Sequence, residues 1–137
     1  MAHDPEIQKK IYQILREIGE YSDLDALAVV NREGMKISFF AKKGTDADLL
    51  SAISAAILST GEKAVNYNEH GELLEVLVRG EKGFTILSNA GDYILIGTSL
   101  ELNSMGLTIR VLRKYASKLH DIISGDISEE IGPISPD

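Results

Sequence analysis

The sequence predicts a single α/β domain of the α+β kind, with helices and strands in the order α-β-β-α-β-β-β-α. Three observations support this order. Apolar residues recur every three or four positions near each end of the chain, which is typical of amphipathic helices. Two short apolar segments flank a polar turn in the first half, and three strand-like segments with short gaps follow in the second half. The chain has only 137 residues, so one domain is expected.

A first helix is predicted from its capping signal and its apolar stripe. Asp4 can accept hydrogen bonds from free backbone N–H groups, and Pro5 suits the first helical turn. One face of the helix then carries four isoleucines: Ile7, Ile11, Ile14 and Ile18. We expect the helix to end at Gly19, since glycine commonly terminates helices.

A β-hairpin is predicted to follow the first helix. Its strands are the apolar segment Leu27–Val30 and the alternating segment Met35–Phe39. The four residues between them, Asn31–Gly34, have turn chemistry, and Gly34 can adopt a positive φ angle. The two strands are therefore expected to pair antiparallel.

A second helix is predicted to begin at Thr45, because Thr45 and Asp48 have the spacing of a capping box. Its residues separate into two faces. The face expected to pack inward comprises Leu49, Ile53, Ala56, Ile57, Thr60 and Ala64. The face expected to point outward is small and nearly uncharged: Ala47, Ser51, Ser54, Ala55 and Leu58. Small side chains let another helix approach closely, so this outward face predicts self-association.

Three consecutive strands are predicted next, over Leu73–Arg79, Phe84–Ser88 and Asp92–Thr98. Because the gaps between them are short, they are expected to form an antiparallel meander. The runs Val76–Val78 and Ile94–Ile96 are apolar on both faces, which indicates that helices cover the sheet on both sides.

The first of these three strands is expected to form an edge of the sheet if the hairpin pairs with the last strand. One of its sides would then carry Leu74, Val76 and Val78. An apolar edge invites pairing with another chain. A two-fold axis would satisfy both this edge and the small-residue helix face, so the sequence predicts a homodimer.

The last helix is predicted to begin near Asn103 or Ser104. An apolar stripe runs along it: Met105, Ile109, Leu112, Ala116, Leu119 and Ile123. A basic stripe lies on its other side: Arg110, Arg113, Lys114 and Lys118. We expect the folded domain to span residues 1–123 and residues 124–137 to form a flexible acidic tail.

Composition and charge argue against several classes of protein. The net charge is −7, so binding to a nucleic-acid phosphate backbone is not expected. The chain has no cysteine, which excludes disulfides and thiolate metal sites. It has no apolar run near the roughly 20 residues of a membrane span and no signal-peptide pattern at its start, so a cytoplasmic location is expected.

No catalytic constellation is evident in the sequence. It contains neither a phosphate-binding P-loop motif nor the glycine pattern of a dinucleotide site nor a nucleophile elbow. The histidines, His3, His70 and His120, are far apart, and each is interpreted as a surface residue. Glu75, inside a predicted strand, is interpreted as an edge-strand charge. The sequence therefore predicts a protein that is not an enzyme and needs no metal or cofactor.

Four segments of the chain resemble the roadblock (dynein light chain roadblock) family and its bacterial and archaeal relatives. They are Ala26–Met35, Leu73–Arg79, Tyr93–Thr98 and Met105–Leu112. The order of helices and strands also matches, so the resemblance covers roughly residues 5–122. It rests on patterns of residue type, because the family has no invariant catalytic signature.

The resemblance implies a five-stranded antiparallel sheet, with the second helix on one face and the first and last helices on the other. It also implies dimers that join sheets at the third strand and pack their second helices together. Carried onto this chain, the dimer or partner interface comprises Ser51, Ser54, Ala55, Leu58, Leu74, Val76 and Val78. Family members bind and regulate small Ras-like GTPases or act as scaffolds in motor and signalling complexes.

The leading hypothesis from the sequence is a non-catalytic homodimeric regulator or scaffold that binds a small Ras-like GTPase. The alternative is a small-molecule sensor of profilin-like or PAS-like architecture. A sensor requires a pocket with convergent polar groups, and the sequence alone does not place one.

Overall fold

The computed structural model describes residues 4–42 and 44–125. His3 and the predicted acidic tail beyond residue 125 lie outside the described residues. Helices and strands follow in the predicted order: α1 (Pro5–Glu20), β1 (Ala26–Asn31), β2 (Lys36–Ala41), α2 (Ala47–Tyr67), β3 (Glu75–Gly80), β4 (Gly83–Ala90), β5 (Tyr93–Ser99) and α3 (Met105–Ser124). A single 3-10 turn, Leu102–Ser104, leads into α3.

The five strands form one antiparallel sheet in the order β2-β1-β5-β4-β3. The hairpin therefore joins the meander through the pairing of β1 with β5, in which Ala28 lies opposite Ile96. This arrangement confirms the predicted fold class and leaves β3 at one edge of the sheet and β2 at the other.

Helices cover both faces of the sheet. On one face, α1 and α3 pack over a core that includes Leu15, Leu95 and Leu119. On the other face, α2 packs over a smaller core that includes Leu58 and Ile96. The central strand β5 is buried on both sides, which explains why its sequence is continuously apolar rather than alternating.

Helix α1 begins as predicted but continues one residue past its expected end. The Asp4 carboxylate accepts a hydrogen bond from the Glu6 N–H at 2.9 Å, and this caps the helix. Gly19 does not terminate α1, because it is a packing position. A Cβ atom there would overlap the Phe40 ring, so glycine lets this β2 side chain lie against the helix.

Helix α2 begins one residue later than the capping-box spacing predicts. The N-cap is Asp46, not Thr45: the Asp46 backbone is extended, and its carboxylate accepts a hydrogen bond from the Leu49 N–H at 3.1 Å. The predicted start at Thr45 is therefore wrong by one position.

The turn between β1 and β2 confirms the predicted hairpin. The Asn31 side chain accepts hydrogen bonds from the Glu33 and Met35 N–H groups at 3.0 and 2.9 Å. Gly34 has a φ angle of +89°, and a Cβ atom there would lie 3.3 Å from the Ala52 Cα in α2. The turn thus needs glycine at position 34 for two reasons: the backbone has a positive φ angle, and α2 is too close to leave room for a side chain.

We expect Gly34→Ala to lower the free energy of unfolding by about 1–2 kcal/mol, because an L-residue is strained at this φ angle. Gly106→Ala is the matched control. Gly106 is helical with no atom within 4 Å of its added Cβ, so alanine should raise stability by up to about 1 kcal/mol. Urea denaturation measures both values, and effects of the same sign would contradict this account of Gly34.

Candidate functional site

Strand β3 presents an open edge of the sheet. It pairs with β4 alone, and its other side has no neighbouring strand among the described residues. Leu77 and Val78 are each 42% exposed, on opposite faces of the strand. Val76 is half-buried and packs against the α2 core. This edge is therefore apolar and available for pairing, as the sequence predicts.

Leu74 does not share a side of β3 with Val76 and Val78, so that part of the prediction is wrong. It precedes the strand, is exposed, and lines a cleft beside α3 that also includes Arg113. The alternation fails here because Asn89 holds the irregular backbone before β3. Its N–H donates to the Leu74 carbonyl at 3.0 Å, and its side-chain amide donates to the Leu73 carbonyl at 2.7 Å.

The small-residue face of α2 packs inward, contrary to the prediction that it points outward. Ser51, Ser54 and Leu58 are 0%, 1% and 1% exposed, and Ala55 is half-buried in the same core. The reason is close packing: small side chains let α2 lie near the sheet and the Gly34 turn. The Ser51 hydroxyl donates to the Ala47 carbonyl at 2.6 Å, so its burial leaves no donor unsatisfied.

Most of the opposite face of α2 is exposed, although its apolar residues predict that it packs inward; Ile57 alone among them is half-buried against the α2 core. Leu49 is 56% exposed and Ile53 is 49% exposed. No charged residue occurs between Leu49 and Gly61, which is unusual for a helix surface in water. We call this surface the outer α2 face, and it comprises Leu49, Ile53, Ala56 and Thr60.

The outer α2 face and the β3 edge adjoin each other. Helix α2 crosses over β3 near Gly61, where an added Cβ atom would lie 3.1 Å from Cγ2 of Val76. The absence of a side chain at Gly61 brings the helix down onto the edge strand. The two exposed apolar features therefore form one candidate interaction surface.

A polar network around Arg32 holds α2 in this position. The Arg32 guanidinium donates to the Gly91 carbonyl at 2.9 and 2.7 Å and to the Asn89 side-chain oxygen at 2.9 Å. It also pairs with the Glu62 carboxylate at 2.6 Å. These bonds join the β1–β2 turn to the β4–β5 turn and to α2, so the network connects three parts of the chain. No sequence motif predicts this network, since the residues that form it are far apart in the chain.

The basic stripe on α3 is partly engaged within the chain. Nε and Nη2 of Arg113 donate to one Glu75 oxygen at 2.9 and 2.7 Å. The Lys118 ammonium lies 5.4 Å from the centroid of the Tyr115 ring. Glu75 thus lies on the edge strand as predicted, and its partner is Arg113. This engagement makes the stripe a weaker candidate for binding a partner than the apolar surface.

A groove separates the end of α1 from the first half of α3 and has a cavity volume of about 420 Å³. Tyr115 lines it and is almost fully buried. Burial, with a smaller contribution from the Glu17 carboxylate, raises the pKa of Tyr115 above its ordinary value of 10.0. The phenol therefore stays neutral at physiological pH.

The described residues contain no group of three or more His, Asp or Glu side chains that could hold a metal ion. His70 is exposed in the loop after α2, and His120 lies in the last turn of α3, so they are not brought together. Within the same residues, no helix has the length and apolar character needed to cross a membrane.

The Roadblock/LC7 domain model matches residues 10–99 of this chain. The chain therefore belongs to the Roadblock/LC7 domain family, as its resemblance implies. An uncharacterized protein of Methanocaldococcus jannaschii is 25% identical over 109 residues, which cover 80% of this chain and 96% of that protein.

Solved structures have the same fold. Myxococcus xanthus MglB has a TM-score of 0.77 at 15% identity, covering 94% of this chain and 98% of its own. A structure described as MglB with a tetrameric arrangement has a TM-score of 0.76 at 15% identity, covering 88% of this chain and 93% of its own.

Leu58→Ala should lower the free energy of unfolding by about 2–5 kcal/mol, because it leaves a cavity between α2 and the sheet. Lys63→Ala is the control, since Lys63 is exposed on the same helix and should change stability by less than about 0.5 kcal/mol. Urea denaturation of both variants at one protein concentration gives the comparison. A small effect at Leu58 would mean that α2 presents this face to solvent.

Proposed function

We propose that two copies of this chain associate through the outer α2 face and the β3 edge, and that the dimer binds and regulates a small Ras-like GTPase in the cytoplasm. One observation carries the proposal: an uncharged aliphatic helix face is exposed beside an unpaired sheet edge. Membership of the Roadblock/LC7 family supports it, since the resemblance implies binding modules of this kind.

The proposed dimer interface differs from the one drawn from the sequence. Its helix part is Leu49 and Ile53, which are exposed, instead of the three buried residues of the inward face. Its strand part keeps Val76 and Val78 and adds Leu77, which extends toward the other face of the sheet. Leu74 is left out because it lies in the cleft beside α3.

Association through this surface is energetically reasonable. Fully burying an exposed aliphatic side chain contributes about 1.5–3 kcal/mol. Leu49 and Ile53 are about half exposed, so each contributes about half of that range, and a two-fold axis would bury them from both copies. Pairing of the two β3 edges would also satisfy backbone groups that otherwise bond to water. These contributions act against the loss of translational and rotational freedom, which costs about 4–15 kcal/mol.

The nucleotide would belong to the partner, since this chain has no P-loop motif. Regulation would then depend on different affinities for the GTP-bound and GDP-bound forms of the GTPase. A homodimer offers a broader surface than a monomer, because the parts of the two α2 helices that stay outside the interface lie side by side. This surface is compatible with three modes of regulation: faster GTP hydrolysis by the GTPase, faster nucleotide exchange, or simple tethering of the GTPase.

We expect the wild-type chain to have twice its 15.0 kDa mass in size-exclusion chromatography with light scattering. Ile53→Arg should shift it to monomer, because burying an unpaired charge at the interface costs several kcal/mol. Ile53 is half-exposed in a single copy, so the variant should still fold.

Leu107→Arg is the matched control for Ile53→Arg. Leu107 is 55% exposed, similar to Ile53, but it lies on α3 across the sheet from α2. The Leu107→Arg variant should therefore remain dimeric. A monomeric wild-type chain at tens of micromolar, or equal effects of the two variants, would refute the proposed interface.

We expect the dimer to bind a small Ras-like GTPase from the same organism with an affinity that depends on its nucleotide. Calorimetry with purified GTPases, each loaded with GDP or with a non-hydrolysable GTP analogue, measures this dependence. Ile53→Arg should weaken binding at least tenfold, because the partner surface requires two copies.

Arg110→Glu tests the rival surface on α3. Arg110 is exposed on that helix, and the variant avoids breaking the Arg113–Glu75 ion pair. Binding should be retained in this variant. Loss of binding in Arg110→Glu with retention in Ile53→Arg would place the partner on α3. The absence of any GTPase binding in either nucleotide state would refute the proposed function while leaving the dimer intact.

A further inference from the structure

The groove between α1 and α3 has the size and shape of a small-molecule site. Its volume of about 420 Å³ falls within the range of about 300–1,000 Å³ that is usual for ligand pockets. Its apolar floor includes Ile18, Leu24 and Val111, all buried. It lies on the opposite side of the sheet from α2, so it is not part of the proposed dimer interface.

Acidic side chains line one side of this groove. Glu17, Glu20 and Asp23 are among its lining residues, which include no lysine, arginine or histidine. Two basic side chains lie near this rim. Arg16 is 3.8 Å from Glu20, in a pair exposed on both sides, and Lys42 donates to the Ser22 carbonyl at 3.1 Å. The lining itself is therefore negative above an apolar floor.

Buried side chains with hydroxyl groups add polar character to the lining. Thr108 and Tyr115 are 4% and 3% exposed, and both line the groove. The Tyr115 ring already accepts one ammonium group, that of Lys118, 5.4 Å from its centroid. Because Lys118 already occupies this ring, the attraction for a positively charged ligand comes from the Glu17, Glu20 and Asp23 carboxylates.

We propose that this groove binds a small organic amine, with its ammonium group at the carboxylates and its hydrocarbon chain on the apolar floor. An anionic ligand would be repelled by the lining carboxylates. A metal ion fits poorly, because the described residues hold no metal-ligating cluster. The proposal goes beyond GTPase regulation and does not depend on it.

A chemical-shift titration of the full-length protein with n-butylamine tests the proposal. Saturable shifts are expected at the amides of Ser22, Asp23 and Thr108, with a dissociation constant on the order of millimolar for so small a ligand. The neutral isostere 1-butanol and the anion butyrate should bind at least tenfold more weakly. Equal binding of butanol would overturn the role of the carboxylates.

Two variants connect the binding to named residues. Glu17→Gln combined with Asp23→Asn keeps the shape of the groove and removes two charges, so it should weaken butylamine binding at least tenfold. Glu33→Gln, an exposed change in the β1–β2 turn outside the groove, should leave the affinity unchanged. Unchanged affinity in the double variant would refute the site.

A lysine side chain from another protein would present the same ammonium group. The blocked peptide Gly-Lys-Gly therefore serves as a second ligand, and it should bind no more tightly than butylamine. Tighter binding of the peptide would overturn the assignment to a free amine. Dimer mass and GTPase affinity should be the same in wild type and the double variant, which separates this test from that of the proposed function.

Discussion

The close packing of α2 on the sheet determines which surface this domain offers to partners. The helix lies near the sheet because its inward face is built from serines, alanine and Leu58, and because the adjacent turn has glycine at position 34. A larger side chain at any of these positions would separate the helix from the sheet. With that face buried, Leu49 and Ile53 are left on the outside.

The Arg32 network reinforces the same arrangement through polar contacts. Its guanidinium joins the β4–β5 turn to Glu62, which lies on α2 about two and a half turns after Ile53. The Arg32 and Glu62 side chains are about one-third exposed, so solvent weakens their ion pair. Packing therefore supplies most of the free energy that positions α2, while the network determines its orientation relative to the two turns.

The order of elements and the open edge were predictable from the sequence, because hydrophobic periodicity and turn residues are local signals. The orientation of α2 was not. Both faces of α2 are aliphatic, since Leu49 and Ile53 lie on one and Leu58 lies on the other. Neither face carries a charged residue between positions 49 and 61. A period of 3.6 residues then identifies the helix without identifying its buried side. Which face is buried is decided by how closely the helix can approach the sheet, and the face with small side chains allows the closer approach.

The remaining parts of the candidate sites depend on residues that are distant in sequence. Leu74 departs from strand alternation because Asn89, 15 positions later, holds the backbone before β3. The groove likewise joins the end of α1 to α3, about 90 positions apart. Neither arrangement leaves a local pattern, since each is created when the sheet and helices assemble.

The groove and the apolar surface are connected most directly by α3. The helix contributes Tyr115 to the groove, and its Arg113 pairs with Glu75 on β3 at 2.7 Å. A ligand that moved α3 would therefore act on the edge strand through this ion pair. The Arg113 side chain is 56% exposed, however, and such pairs contribute only about 0–1 kcal/mol. Coupling between two sites cannot exceed the free energy that the connecting contact transmits. This pair can thus change affinity at the other site by only a few-fold, which makes the two surfaces largely independent in this fold.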